Sequence, residues 1–177
     1  MSSDAPKPPP DFKSALERAR SAFGHARTGD VAALTSLLDS GVSPNLSNEN
    51  GDTLLMLACY HGHQDAARLL LERGADPEQP NDKGQTPLAG VAFKGSMPLA
   101  ELLLERGALV DGAGPDGRTP LMYAAMFDRL EMVELFLARG ASHTHADAGG
   151  ATALQAARMM GAQRTAARLE ALAAGGK

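Results

Sequence analysis

Three groups of residues in this 177-residue chain have types and spacings that could do chemistry. Cys59 stands just before His61 and His63, a thiol beside two imidazoles, which is the raw material of a nucleophile and its base. The pairs His61-x-His63 and His143-x-His145 each offer two nitrogen ligands, but neither comes with the Cys or carboxylate set that completes a structural zinc site. The third possibility, a glycine-rich phosphate cradle or nucleophile elbow, would need G-x-x-x-x-G-K-[ST], G-x-G-x-x-G or G-x-S-x-G in a strand-turn-helix setting, and none occurs. Cys59 occupies a place held by Ala92 and Ala125 elsewhere in the chain, so it is expected to be a packed thiol. The histidines are expected to serve structure or face solvent. No catalytic residue, resident metal or cofactor is expected.

Composition says which elements could position such groups. Ala (32) and Leu (24) make up almost a third of the chain, Ile and Trp are absent, and aromatics are 4%. Sheets are packed by β-branched and aromatic residues, so an α-rich protein is expected. The 19 glycines fit only if many short helices carry Gly at their ends, because Gly inside a helix costs about 1 kcal/mol relative to Ala. The longest apolar run, Leu54 to Tyr60, is far shorter than a membrane span, and the N-terminal MSSDAPKPPPDF has no apolar signal region. A single cysteine fits a reducing compartment, and the expected location is cytoplasmic. Seventeen basic and 21 acidic residues are interspersed, giving a net charge of −4 and no basic stripe for phosphates. Neither nucleic acid nor membrane is an expected partner.

The organising feature is a period of 33 residues. Gly51, Gly84, Gly117 and Gly150 keep it, as do Gly41, Gly74, Gly107 and Gly140, and as do Thr53, Thr86, Thr119 and Thr152. Gly29, Gly62, Gly95 and Gly161 keep it too, with Asp128 standing where the fourth member of that set belongs. In Gly84 to Leu88 and Gly117 to Leu121, the order Gly-x-Thr-Pro-Leu predicts a turn, an N-capping hydroxyl and a proline at the first helical position. A short helix should follow, then a left-handed glycine, a second helix such as Ala66 to Leu71, and a stop at Arg73-Gly74-Ala75. One such hairpin of helices cannot bury both faces, so neighbours must supply the stability.

These residues closely resemble the ankyrin repeat. Gly51 to Asp76, with Gly62-His63 and Leu69-Leu70-Leu71, follows that pattern almost throughout. The resemblance implies an all-α repeat solenoid with short β-hairpin loops projecting to one side and a concave groove between the loops and the first helices. The expected organisation is a disordered Pro-rich tail at 1–10, an N-terminal capping repeat at 11–47, full repeats at 48–80, 81–113 and 114–146, and a C-terminal capping repeat at 147–177. In the first cap, Leu16, Ala19, Ala22, Phe23 and Ala26 are spaced for one buried face. The histidine that usually follows Thr-Pro-Leu in this family is replaced by Met56, Ala89, Met122 and Gln155, so its polar link between first helix and hairpin should be missing. Asp128 at a left-handed position should cost about 1 kcal/mol, so Asp128→Gly should stabilise the fold unless the side chain has another task, such as capping. Gly90 should soften its helix.

Two positions at the end of each first helix read Tyr60-His61, Phe93-Lys94, Met126-Phe127 and Met159-Met160. Rigid aromatics and soft Met in this register predict an apolar binding stripe; filling of gaps between hairpins is the competing use. Hairpin-tip residues including Asp52, Gln85 and Arg118 would supply a polar rim. The expected function is a non-catalytic scaffold, monomeric when free, that binds a partner protein or peptide in the groove, as inhibitor, adaptor or regulatory subunit. The alternative is a metal- or small-ligand-responsive regulator using the turn histidines.

Overall fold

The computed structural model describes residues 12–175. The Pro-rich tail expected at 1–10 lies outside the described residues. The chain forms α1 (Phe12–Thr28), α2 (Val31–Asp39), α3 (Leu54–Tyr60), α4 (Gln64–Glu72), α5 (Pro87–Lys94), α6 (Met97–Glu105), α7 (Pro120–Met126), α8 (Leu130–Ala138), α9 (Ala153–Met160) and α10 (Gln163–Gly175). They stack as antiparallel pairs in two layers. The first layer runs α1, α3, α5, α7, α9, each against the next, and the second helices pack behind it. The expected β-hairpin loops narrow to single bridges, Ser47 with Thr53 and Ala146 with Thr152, and no longer strand forms among the described residues.

Each first helix starts for the same reason. Thr53, Thr86, Thr119 and Thr152 sit in extended backbone, and their hydroxyls accept the N–H of Met56, Ala89, Met122 and Gln155. That satisfies one of the donors a helix leaves unpaired at its N-terminus. The missing polar link holds for Met56, Ala89 and Met122, which are buried, but not for Gln155. Its side chain accepts the Thr152 N–H at 2.7 Å and closes a capping box.

All twelve glycines of the three periodic sets have positive φ. Among the described residues the one non-glycine with positive φ is Asp128, at 54°. Its carboxylate has the second task that sequence alone left open. Oδ1 accepts the Thr165 N–H at 3.0 Å, in the first turn of α10. Ala162, just before that helix, has no side-chain oxygen, so the preceding repeat provides the cap in its place.

The core is a column of residues one period apart. Leu55, Leu88 and Leu121 are fully buried in the first layer, and Leu70, Leu103, Phe136 and Leu169 in the second. Each contributes about 1.5–3 kcal/mol by leaving water. Ala58, Ala92, Ala124, Ala125 and Ala157 let neighbouring helices close on one another. The first helix departs from expectation. Ala22 and Ala26 are fully buried, but Leu16 is 41% exposed, because it lies in the part of α1 that extends beyond the short α3 beside it.

Polar ties repeat with the same period. The side chains of Asn45, Glu78 and Asp111 accept the backbone N–H of Asp76 (2.7 Å), Leu109 (2.9 Å) and Ser142 (3.1 Å) in the next unit. His63 Nε2 bonds the Arg27 carbonyl at 2.8 Å, and Arg129 Nε, two periods later, donates to the Phe93 carbonyl at 3.3 Å.

The two tasks of Asp128 oppose each other in a substitution. Removing the left-handed strain gains about 1 kcal/mol, and losing a cap costs about the same. Asp128→Gly should therefore leave the melting temperature nearly unchanged. Asp128→Ala, which keeps the strain and loses the acceptor, should lose about 2 kcal/mol, and Asp128→Asn should retain most of the stability. Urea denaturation of the three variants checks the order; a clear gain for glycine would remove the capping role.

Candidate concave groove

The last turns of α3, α5 and α7 face the hairpin tips across a groove of about 730 Å³. Because these helices are one period apart, their equivalent side chains form a ladder. The Tyr60 and Phe93 rings lie parallel, 6° apart in orientation, with centroids separated by 6.4 Å. Phe127 then meets Phe93 edge-on at 4.5 Å and 86°. Such pairs contribute about 0.5–1.5 kcal/mol beyond the area they bury, so the ladder also joins neighbouring units. Lys94 Nζ lies 4.1 Å from the centre of the Tyr60 ring, a cation–π contact.

The groove gathers most of the stripe and rim residues expected from sequence. Tyr60, His61, Phe93, Met126 and Phe127 line it on the helix side, and Asp52, Gln85 and Arg118 on the hairpin side. Tyr60 is 45% exposed, Phe93 and Met126 are half-buried, and Phe127 is half-buried against the core, so Phe127 serves packing and surface together. Met159 and Met160 are outside the groove lining and stand in solvent, 81% and 53% exposed.

The lining residues missed from sequence include Arg27 and, on the helix side, Leu57, Gly90 and Tyr123; the last three form a set of their own. They share one register and lie three residues before Tyr60, Phe93 and Met126, so helical spacing puts them on the same face. That spacing was the available signal. A Cβ at Gly90 would meet nothing within 4 Å, so its missing side chain opens the groove floor. Tyr123 is buried, with its hydroxyl near Gln85 and Arg118; burial raises its pKa, and the charge of Asp116 adds to the rise. Asp52 accepts from Asn81 Nδ2 at 2.9 Å, and Arg118 lies 3.7 Å from Asp116 and 3.6 Å from Asp147.

The other candidate chemistry resolves into packing. Cys59 is 1% exposed, and burial pushes its thiol up to about 12, far from the range of a reactive thiolate. His63 is held by the Arg27 carbonyl, and His145, expected in a solvated turn, is half-buried with Nε2 bonded to the Gly117 carbonyl at 3.0 Å. The His61 and His63 rings stack with centroids 6.4 Å apart. Among the described residues, no group of three or more His, Cys, Asp or Glu side chains converges as a metal site. No helix among them is long and apolar enough to cross a membrane.

Comparison with known proteins matches residues 23–113 and 91–170 to a family described as "Ankyrin repeats (3 copies)". A curated ankyrin repeat protein of Pseudomonas aeruginosa is 51% identical over 66 residues, which cover 37% of this chain and 38% of that protein. A human ankyrin repeat domain-containing protein is 45% identical over 58 residues, covering 32% of this chain and 19% of the human one. The matched segments thus span well under half the length of either relative.

Native Cys59 should resist iodoacetamide at neutral pH and react fully once the chain is unfolded. Mass spectrometry of the labelled protein distinguishes the two cases. Rapid labelling of the native fold would contradict the buried thiol.

Proposed function

The chain belongs to the ankyrin repeat family, whose members are generally protein–protein interaction modules, and from that premise we propose that it is a non-catalytic scaffold whose concave groove binds a partner polypeptide. The observation that carries this reading is the groove itself: a wide trough floored by Gly90 and Tyr123, walled by the Tyr60–Phe93–Phe127 ladder and rimmed by polar hairpin tips. An apolar centre with a polar rim is the anatomy of a binding surface. Because the walls are built on short capped helices, the surface is formed before the partner arrives, and little ordering entropy is lost on contact. Occupancy is the mechanism, whether it covers another protein's active site, recruits a client or holds a subunit.

Position 90 separates binding from folding. Gly90→Ala should stabilise the fold by about 1 kcal/mol, since the residue is helical and its Cβ meets open space. Gly90→Leu should fill the floor without disturbing the core. With a photo-crosslinking residue at position 94, the wild-type protein should form an adduct with a partner polypeptide in lysate of its source cells. The same probe at position 101, on the second-layer helix α6, should not. Gly90→Leu should suppress the adduct while melting no lower than wild type. An undiminished adduct in that variant would place binding elsewhere.

The ladder offers a second check, with a stability cost built in. Phe93→Ala with Phe127→Ala should weaken capture and keep the helical circular dichroism spectrum. The melting temperature should fall, because Phe127 also packs against the core.

A further inference from the structure

Charge is distributed unevenly over this protein. The chain carries 17 Lys and Arg against 21 Asp and Glu, yet the groove lining holds three cations, Arg27, Lys83 and Arg118, against one carboxylate, Asp52. Lys94 adds a fourth cation where it lies over Tyr60. Between the second helices the pattern is different. Arg73 pairs with Asp39, Arg106 with Glu72, Arg164 with Glu131 and Arg168 with Glu134, so each of these arginines meets a carboxylate of the preceding unit.

At the groove, as at Arg68 and Arg139 in the second layer, the pairing is incomplete among the described residues. Arg118 is held between Asp116 and Asp147, and Asp52 is occupied by Asn81. Arg27, Lys83 and Lys94 are exposed and form no ion pair with any described residue. Glu49 and Asp82 are exposed at the same hairpin tips, so what favours a partner of opposite sign is these three unpaired cations beside a half-apolar trough, not the net charge of the rim.

We propose that the groove receives an acidic segment of a partner polypeptide, with an apolar side chain seated over Gly90 against Phe93 and carboxylates facing Arg27, Lys83 and Lys94. The proposal rests on the groove being the binding site and adds the chemistry of what enters it. The apolar anchor fits because position 90 leaves open space beside an aromatic wall. The carboxylates fit because they would supply counter-charges of the kind that the chain itself provides to Arg73, Arg106, Arg164 and Arg168. Lys94 would exchange its contact with the Tyr60 ring face for a carboxylate, or bind both.

The test selects phage-displayed random dodecapeptides on the immobilised full chain, then measures fluorescein-labelled synthetic copies by anisotropy. The expected winners are rich in Asp and Glu around a large apolar residue and weaken with added salt. They should bind at least about tenfold more weakly to the Lys83→Glu/Lys94→Glu double variant, and should be lost in Gly90→Leu. Circular dichroism and melting of both variants show that they are folded. Neutral or basic winners that are lost in Gly90→Leu but indifferent to the lysine reversal would overturn the acidic segment and leave the groove as the site. Winners that bind Gly90→Leu unchanged would overturn the groove itself, and with it this proposal. No enrichment of any peptide would overturn the proposal, because a preformed trough of this size should retain a short segment. Displacement of the winners by a labelled oligothymidylate at comparable concentration would overturn a polypeptide partner in favour of a nucleic acid.

Discussion

The structure depends on one unmet need: a pair of helices only seven to nine residues long has apolar residues on more sides than the pair can cover by itself. Leu55 and Ala58 of α3 are fully buried because α1 lies on one side and α5 on the other. The need sets the geometry as well as the stability. Close stacking requires alanine or a residue near its size at the contact, and Cys59 is accommodated in that role, which accounts for its inert thiol. Stacking at a fixed step also brings each side chain beside its counterpart one period away. Asn45, Glu78 and Asp111 can therefore act as the same tie in successive units, and Tyr60, Phe93 and Phe127 can become a ladder.

Repetition makes the exceptions informative, and several fall at one joint. The Asp82 N–H donates to the Asn50 carbonyl and the Ala148 N–H to the Asp116 carbonyl, linking neighbouring hairpin tips. Between those two links the corresponding donor would be residue 115, which is proline and has no N–H. The arginine–carboxylate pair repeated elsewhere is also not formed between Glu105 and Arg139. In the second layer, α6 and α8 approach less closely than α4 and α6 or α8 and α10. Besides the packing of α5 on α7 and the Asp111–Ser142 tie, this joint carries contacts on the groove side: the Phe93–Phe127 edge contact, the Arg129 bond to the Phe93 carbonyl and the Tyr123 hydroxyl beside Gln85. The groove therefore opens over a joint to which it contributes ties, and an occupant that bridges Phe93 and Phe127 would bear on how the two halves of the stack meet.

Much of this was legible from spacing alone, for a physical reason. Gly and Thr at turns are dictated by backbone conformation within a few residues, so their recurrence located the turn glycines of the three sets, all of which have positive φ, and the strained backbone at Asp128. Features that depend on partners far along the chain were not legible. The cap that Asp128 gives Thr165 reaches across 37 residues, the His145 bond to Gly117 across 28, and the exposure of Leu16 depends on how far α3 extends beside it. The groove falls between the two cases. Register identified its aromatic wall, but Met159 and Met160 share that register and stand outside it, in solvent.

Two glycines show how a repeated frame separates folding from recognition. At Gly114 a Cβ would collide with the backbone of Gly84, so the residue is fixed by the approach of two hairpin tips and has no freedom to vary. At Gly90 a Cβ would meet nothing, and alanine would favour the helix, so no packing or backbone constraint explains glycine there. Within this one chain the register of Gly90 holds Leu57, Gly90, Tyr123 and Ala156, side chains of very different volume, while the frame register two residues earlier holds leucine in all four units. The floor can change shape because the leucines beneath it do not. If the groove is where a partner binds, the volume that Gly90 leaves beside an aromatic wall, at a cost of about 1 kcal/mol in helix propensity, is where a side chain of that partner would fit.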